Sequence, residues 1–144
     1  MNATPAPECR RTEDLIDAAC EGDAREIRRL LAMGLDPDTR DENGFPILAL
    51  AAVEGNAAAV RTILEFGAQI EAKDPEGNTA LRWAADEGHI DAAQALLERG
   101  AQIEVMNGDG FSPMYCALTS RQFYMVKLLR AHLEARGAST APAE

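Results

Sequence analysis

Apolar positions in this chain fall in short bursts of helical period, most of them closed by a glycine. Between residues 90 and 100 they are Ile90, Ala93, Leu96 and Leu97, an i, i+3, i+6, i+7 stripe that predicts one buried face of a helix. Gly100 follows where a helix C-terminus favours a residue of positive φ. A shorter apolar segment, Leu81, Ala84 and Ala85, precedes it and closes at Glu87-Gly88. Alanines at 84 and 85 let two helices approach closely. Ahead of these, Asp74 to Gly77 reads as a tight turn in which glycine takes positive φ at least cost. The predicted unit is turn, helix, tight turn, helix, loop.

The unit recurs every 33 residues. Shifted back, Asp74 falls on Asp41, Gly77 on Gly44, Leu81 on Leu48, Ala84-Ala85 on Ala51-Ala52, Gly88 on Gly55, and Gly100-Ala101 on Gly67-Ala68. Shifted forward, the pattern meets Asn107, Gly110, Met114, Ala117, Val126 and Leu129. A copy lacking its opening turn runs from Leu15 through Ala18-Ala19, Gly22, Leu30-Leu31 and Gly34. A period of this length means stacked supersecondary units that bury their apolar faces against one another. The expected fold class is an all-α solenoid of four stacked helix-turn-helix repeats, about 12–40, 41–73, 74–106 and 107–137, with short hairpin-like turns. Residues 1–11, with two prolines and no apolar period, read as a disordered leader, and 138–144 as a flexible tail.

Individual residues sharpen the element boundaries. Thr12 suits the N-cap of a first helix beginning at Glu13, and Asp23 with Glu26 resembles a capping box for the second. Arg25, Arg28 and Arg29 line the polar side of that helix, as a terminal repeat requires, the alternative being a basic docking site. Pro46 sits where a missing N–H is harmless, and Asn56 stands at an N-cap. The fourth copy departs from the others. Arg121 replaces the inter-helix glycine, Arg130 the second leucine and Leu133 the closing glycine, so the last helix should run to about Ala135 before Gly137 ends it. If the Arg121 turn stays left-handed it carries about 1 kcal/mol of strain. Lys127, Arg130, His132 and Arg136 give that helix a polar, basic outer side.

The segments Asn78-Thr79-Ala80-Leu81, Ala84-Ala85, Gly88-His89, Leu96-Leu97 and Gly100-Ala101, echoed by Pro46-Ile47-Leu48 and Ser112-Pro113-Met114, resemble the ankyrin repeat pattern over about residues 13–137. The resemblance implies a protein-interaction module whose hairpin tips and first helices form a concave binding groove. Carried over residue by residue, the expected partner-binding positions are Phe45, Val53, Glu54, Asn78, Arg82, Trp83, Asp86, Glu87, Phe111, Tyr115 and Thr119. Phe45 and Phe111 fall at a tip position usually exposed in the family, and Trp83 at the groove edge. His89 matches the family histidine, whose implied role is a hydrogen bond at a helix start.

Composition narrows the chemistry. A net charge of −10 argues against a nucleic-acid binder, which needs basic residues for phosphate. No apolar run is long enough to span a membrane, and the first eleven residues carry no apolar core of a signal peptide. Cys9, Cys20 and Cys116, an odd number at unrelated repeat positions, argue against a disulfide framework and for a reducing cytoplasm. No Cys/His cluster, nucleophile elbow or phosphate loop is present, so neither catalysis nor a metal or cofactor is expected. Arg outnumbers Lys by 12 to 2, which points to a GC-rich bacterial source.

The acidity is uneven: residues 41–106 hold 12 acidic and 4 basic side chains, whereas residues 107–144 carry a net +1. Aromatic anchors rimmed by carboxylates fit a partner with a basic surface. Alternatively the charge serves solubility and the aromatics pack on neighbouring hairpins. The expected function is a monomeric module binding a protein through its concave face, in its sharper form an inhibitor or immunity-type protein masking a basic effector. The alternative is a cytoplasmic structural or stress-related scaffold acting by homo-association.

Overall fold

The computed structural model describes the backbone of residues 7–138 and the side chains of residues 11–136. Eight helices lie among them: α1 (Pro7–Glu21), α2 (Ala24–Ala32), α3 (Ile47–Val53), α4 (Ala57–Glu65), α5 (Ala80–Glu87), α6 (Ile90–Glu98), α7 (Pro113–Thr119) and α8 (Phe123–Ala138). Each odd-numbered helix packs on the even one that follows it. The pairs then stack in two layers, α1·α3·α5·α7 and α2·α4·α6·α8. The only β-pairing among the described residues is an isolated antiparallel bridge between Arg40 and Pro46 at the first tip. The fold is the all-α repeat stack that the period predicts.

One continuous core runs through the stack. Leu15, Leu48 and Leu81 supply it from the first helices, and Ile27, Ile63, Leu96 and Leu129 from the second. The alanine pairs 18–19, 51–52 and 84–85 are buried, as close helix packing demands. Such a core suits a chain with few aromatics, because each unit completes its packing on its neighbours.

The ends differ from expectation. α1 begins at Pro7, not at Glu13, so Thr12 lies inside the helix and the expected leader is helical from residue 7. Proline is tolerated as the first helical residue, where no N–H is required. α8 continues through Gly137 to Ala138 instead of ending near Ala135. A helical glycine costs about 1 kcal/mol, too little to stop a helix anchored through Leu129 and Leu133. Residues 1–6 and 139–144, the rest of the expected leader and tail, lie outside the described residues.

The caps are corrected too. The Asp23 carboxylate accepts from the Glu26 amide at 3.1 Å, but the Glu26 side chain turns to Arg29, so only half the box forms. That same contact, chiefly the Arg29 hydrogen bond, holds the Glu26 carboxyl below its ordinary pKa. Asn56 and His89 occupy N-cap positions without capping through their side chains. Both reach back to the preceding repeat. His89 Nε2 lies 2.9 Å from the Val53 carbonyl oxygen, and a Cβ placed on Gly55 would come within 2.6 Å of the imidazole. Asn56 covers Gly22 and Gln122 covers Gly88 in the same way. The inter-helix glycines therefore leave room for the next repeat. Arg121 holds the same left-handed turn at φ 56°.

Candidate functional site

The hairpin tips are built by one polar residue each. Asp41 accepts from the amides of Asn43 and Phe45 at 3.0 and 2.9 Å, and Asn107 does the same for Asp109 and Phe111 at 3.0 and 2.9 Å. Asp74 does more. Its carboxylate accepts from the Glu76 and Asn78 amides at 2.9 and 2.8 Å, from Asn78 Nδ2 at 3.2 Å and from the Trp83 indole at 2.9 Å. Neighbouring tips are tied together by the Gly108 amide donating to the Glu76 carbonyl at 2.8 Å and by Asn107 Nδ2 donating to Asn78 Oδ1 at 2.8 Å. Turns pinned this way present the residues between them in fixed positions.

This network decides which expected binding residues are available. Asn78 is not: it is buried, with its side chain spent on Asp74 and Asn107. Its register position reads as an exposed tip in sequence, but the buried Asp74 draws it inward. Trp83 is half-buried; its indole N–H is committed to Asp74, its ring centroid lies 6.0 Å from that of Phe45, and the Arg82 guanidinium lies 4.7 Å from its ring. Phe45 is likewise half-buried. These two aromatics brace adjacent tips, as packing on neighbouring hairpins requires. Arg82 pairs with Asp86 at 3.8 Å, and Asp86 accepts from the Ser120 hydroxyl at 2.7 Å, linking the third helix pair to the fourth. The Thr119 hydroxyl, although exposed, donates back to the Tyr115 and Cys116 carbonyls.

What remains open falls into two groups. Phe111 and Tyr115, 37% and 47% exposed, stack with centroids 4.7 Å apart and planes 11° from parallel. They form a flat apolar platform. The second group is Glu21, Glu54 and Glu87, exposed carboxylates at one register position of three successive first helices, beside half-buried Val53. Glu54 and Glu87 are among the expected binding positions and Glu21 is not; the 33-residue period is the signal that joins the three. Cys20, next to Glu21, senses this field: burial first, then the carboxylates of Glu54, Asp17, Asp41 and Glu21, push its thiol above the usual range. Cys20 and Cys116 are free thiols.

No group of three or more His, Cys, Asp or Glu side chains among the described residues is placed to hold a metal ion. No described helix is long and apolar enough to cross a membrane. The sequence profile of a family described as "Ankyrin repeats (3 copies)" matches residues 15–107, which spans α2 to α6 and the C-terminal part of α1 from Leu15. A comparison with curated proteins finds no match.

Proposed function

This chain belongs to the ankyrin repeat family, a family of non-catalytic protein-interaction modules, and from that premise we propose that it masks a protein with a basic surface. The binding face is formed by the tips at 41–45, 74–78 and 107–111 and by the C-terminal ends of α1, α3 and α5. The observation that carries this reading is the row of Glu21, Glu54 and Glu87. A carboxylate at the C-terminal end of a helix opposes the helix dipole at a cost of about 0.3–1 kcal/mol. Three such residues in register lower stability, and a cationic ligand running along the stack would use all of them. Phe111 and Tyr115 supply the apolar anchor beside the row, and Phe45 and Trp83 hold the tips rigid. The role needs no cofactor or metal, and the free thiols suit a reducing cytoplasm.

The test begins with capture of the partner from native lysate, followed by binding kinetics with the purified pair. The triple variant Glu21→Gln, Glu54→Gln, Glu87→Gln should associate roughly tenfold more slowly at low salt, with a flattened salt dependence. Phe111→Ala with Tyr115→Ala should chiefly speed dissociation. Arg61→Ala and Gln94→Ala, on the second-helix layer, should change neither rate. If those two weaken binding while the glutamate and aromatic variants do not, the partner sits on the opposite face.

A further inference from the structure

The fourth helix pair presents its outer side as though another helix pair belonged there. In the first three pairs one register position holds Ala19, Ala52 and Ala85, each 0% exposed beneath the pair that follows. The fourth pair has Leu118 at that position, larger and 53% exposed. At the start of α8, Phe123 is 70% exposed and replaces the half-buried Ala57 and Ile90. Two aliphatic or aromatic side chains of this size in the open are a departure from the polar outer face that a terminal repeat ordinarily needs.

The charges nearest them, Arg121, Lys127 and Arg130, are basic, and the carboxylate of Glu134 lies a turn farther along the same face of α8. Phe123, Lys127 and Arg130 are spaced i, i+4, i+7 and share one face of α8. Arg130 stands exposed at the position where Leu31, Leu64 and Leu97 are buried by the next pair. Lys127 occupies the register of Arg28 and Arg61. Those two pair with carboxylates on the following second helix, Arg28 with Glu65 at 2.8 Å and Arg61 with Glu98 at 4.0 Å. Among the described residues Lys127 has no such carboxylate. α8 also runs five residues past the glycine position that closes the earlier units.

We propose that the α7–α8 end face docks an amphipathic, acidic helical segment of another protein, stacked where a further repeat would lie. Its apolar face covers Leu118 and Phe123, and its carboxylates meet Lys127 and Arg130 as Glu65 and Glu98 meet the arginines inside the stack. A second copy is a poorer occupant. Among the described residues its N-terminal end places Asp14 where later repeats bury Ile47 or Ala80, and Glu26 where they bury Ala59 or Ala92, so at these positions it meets Leu118 and Phe123 with charge. Each C-terminal end sets Arg121, Lys127 and Arg130 against the single carboxylate of Glu134, so two of them facing each other repel on balance. This surface is separate from the carboxylate row and takes a ligand of opposite charge.

The test uses the full chain and a labelled synthetic helix with leucine and alanine on one face and glutamate on its flanks, read by fluorescence anisotropy. A matched peptide with lysine for glutamate is the control. The acidic peptide should bind saturably and weaken with salt, and roughly tenfold or more of its affinity should be lost in Leu118→Ser and in Lys127→Glu with Arg130→Glu. Glu54→Gln with Glu87→Gln should leave it unchanged, which separates this site from the proposed concave one. All substituted positions at the end face are exposed, and circular dichroism checks folding. Should Leu118→Ser misfold, the charge-reversal pair decides alone. Absence of binding, equal binding of the lysine peptide, or full affinity in the charge-reversed variant overturns the proposal. A concentration-dependent dimer in sedimentation that Leu118→Ser abolishes also overturns it, in favour of a second copy.

Discussion

His89 shows how a residue's work is set by the neighbouring repeat more than by its own helix. It stands at the start of α6 yet bonds to the Val53 carbonyl and fills the space over Gly55. Gly55 and Gly67 both have positive φ, 76° and 92°, but only Gly55 is covered by a side chain. Alanine at either position carries left-handed strain of about 1–2 kcal/mol. At Gly55 it must also displace the imidazole, adding about 1–3 kcal/mol. Urea denaturation should therefore show Gly55→Ala costing clearly more than Gly67→Ala; equal costs would mean that the ring moves aside freely. Arg121→Gly, relieving strain but adding freedom to the unfolded chain, should stabilise by only about 0.5 kcal/mol. The left-handed turn at Arg121 was legible from the period alone. The cover over Gly55 was not, because it depends on a side chain one repeat away.

Cys20 gives the groove's field a titration. Partial burial and then Glu54, Asp17, Asp41 and Glu21 raise its thiol pKa, so less thiolate is present at a given pH than in a free cysteine. In a Cys9→Ser background, with Cys116 buried, alkylation should rise with pH later than for a model thiol. Glu54→Gln removes one of the raising charges, shifts the curve back to lower pH and should speed alkylation by about twofold at fixed pH. An unchanged curve would show that the Glu54 charge does not reach the thiol.

At the scale of elements, sequence and structure agree on helix interiors and part at helix ends. The apolar stripes of α4 and α6 fix both their existence and their buried faces, since each stripe has one period and one core to meet. The start of α1 and the end of α8 escaped because proline and glycine act only where an amide or a left-handed turn is at stake. The same limit hid the fate of Asn78, whose exposure is decided by the buried Asp74 carboxylate and not by its place in the turn. The helix ends also carry the functional argument. Replacing Glu54 and Glu87 with glutamine removes two charges from the negative ends of α3 and α5, so each change should raise stability by about 0.3–1 kcal/mol at low salt. Thermal unfolding at low and high salt checks this. A loss of stability would mean that the row is held by contacts inside the molecule and is not kept for a ligand.

For the whole molecule, stability is close to a sum of helix pairs and the interfaces between them. α3 to α6 have a pair on both sides. α1–α2 and α7–α8 have one each, and the two ends are finished differently. The N-terminal end carries Asp14, Glu26 and Arg29, with Glu26 and Arg29 satisfied by one another, so little is gained by covering it. The C-terminal end exposes Leu118 and Phe123 and buries fewer large side chains, chiefly Met125, Val126 and Leu129. Opening should therefore begin there. Native-state hydrogen exchange should find the slowest amides in α3 to α6 and the fastest helical amides in α7 and α8, separated by about 1–3 kcal/mol of opening free energy. Leu118→Ser should leave the protection of α3 and α4 unchanged, because its side chain meets no repeat on its outer side. Uniform protection across all eight helices would show that the stack opens as one unit, and would place the interfaces, not the individual pairs, in control of its stability.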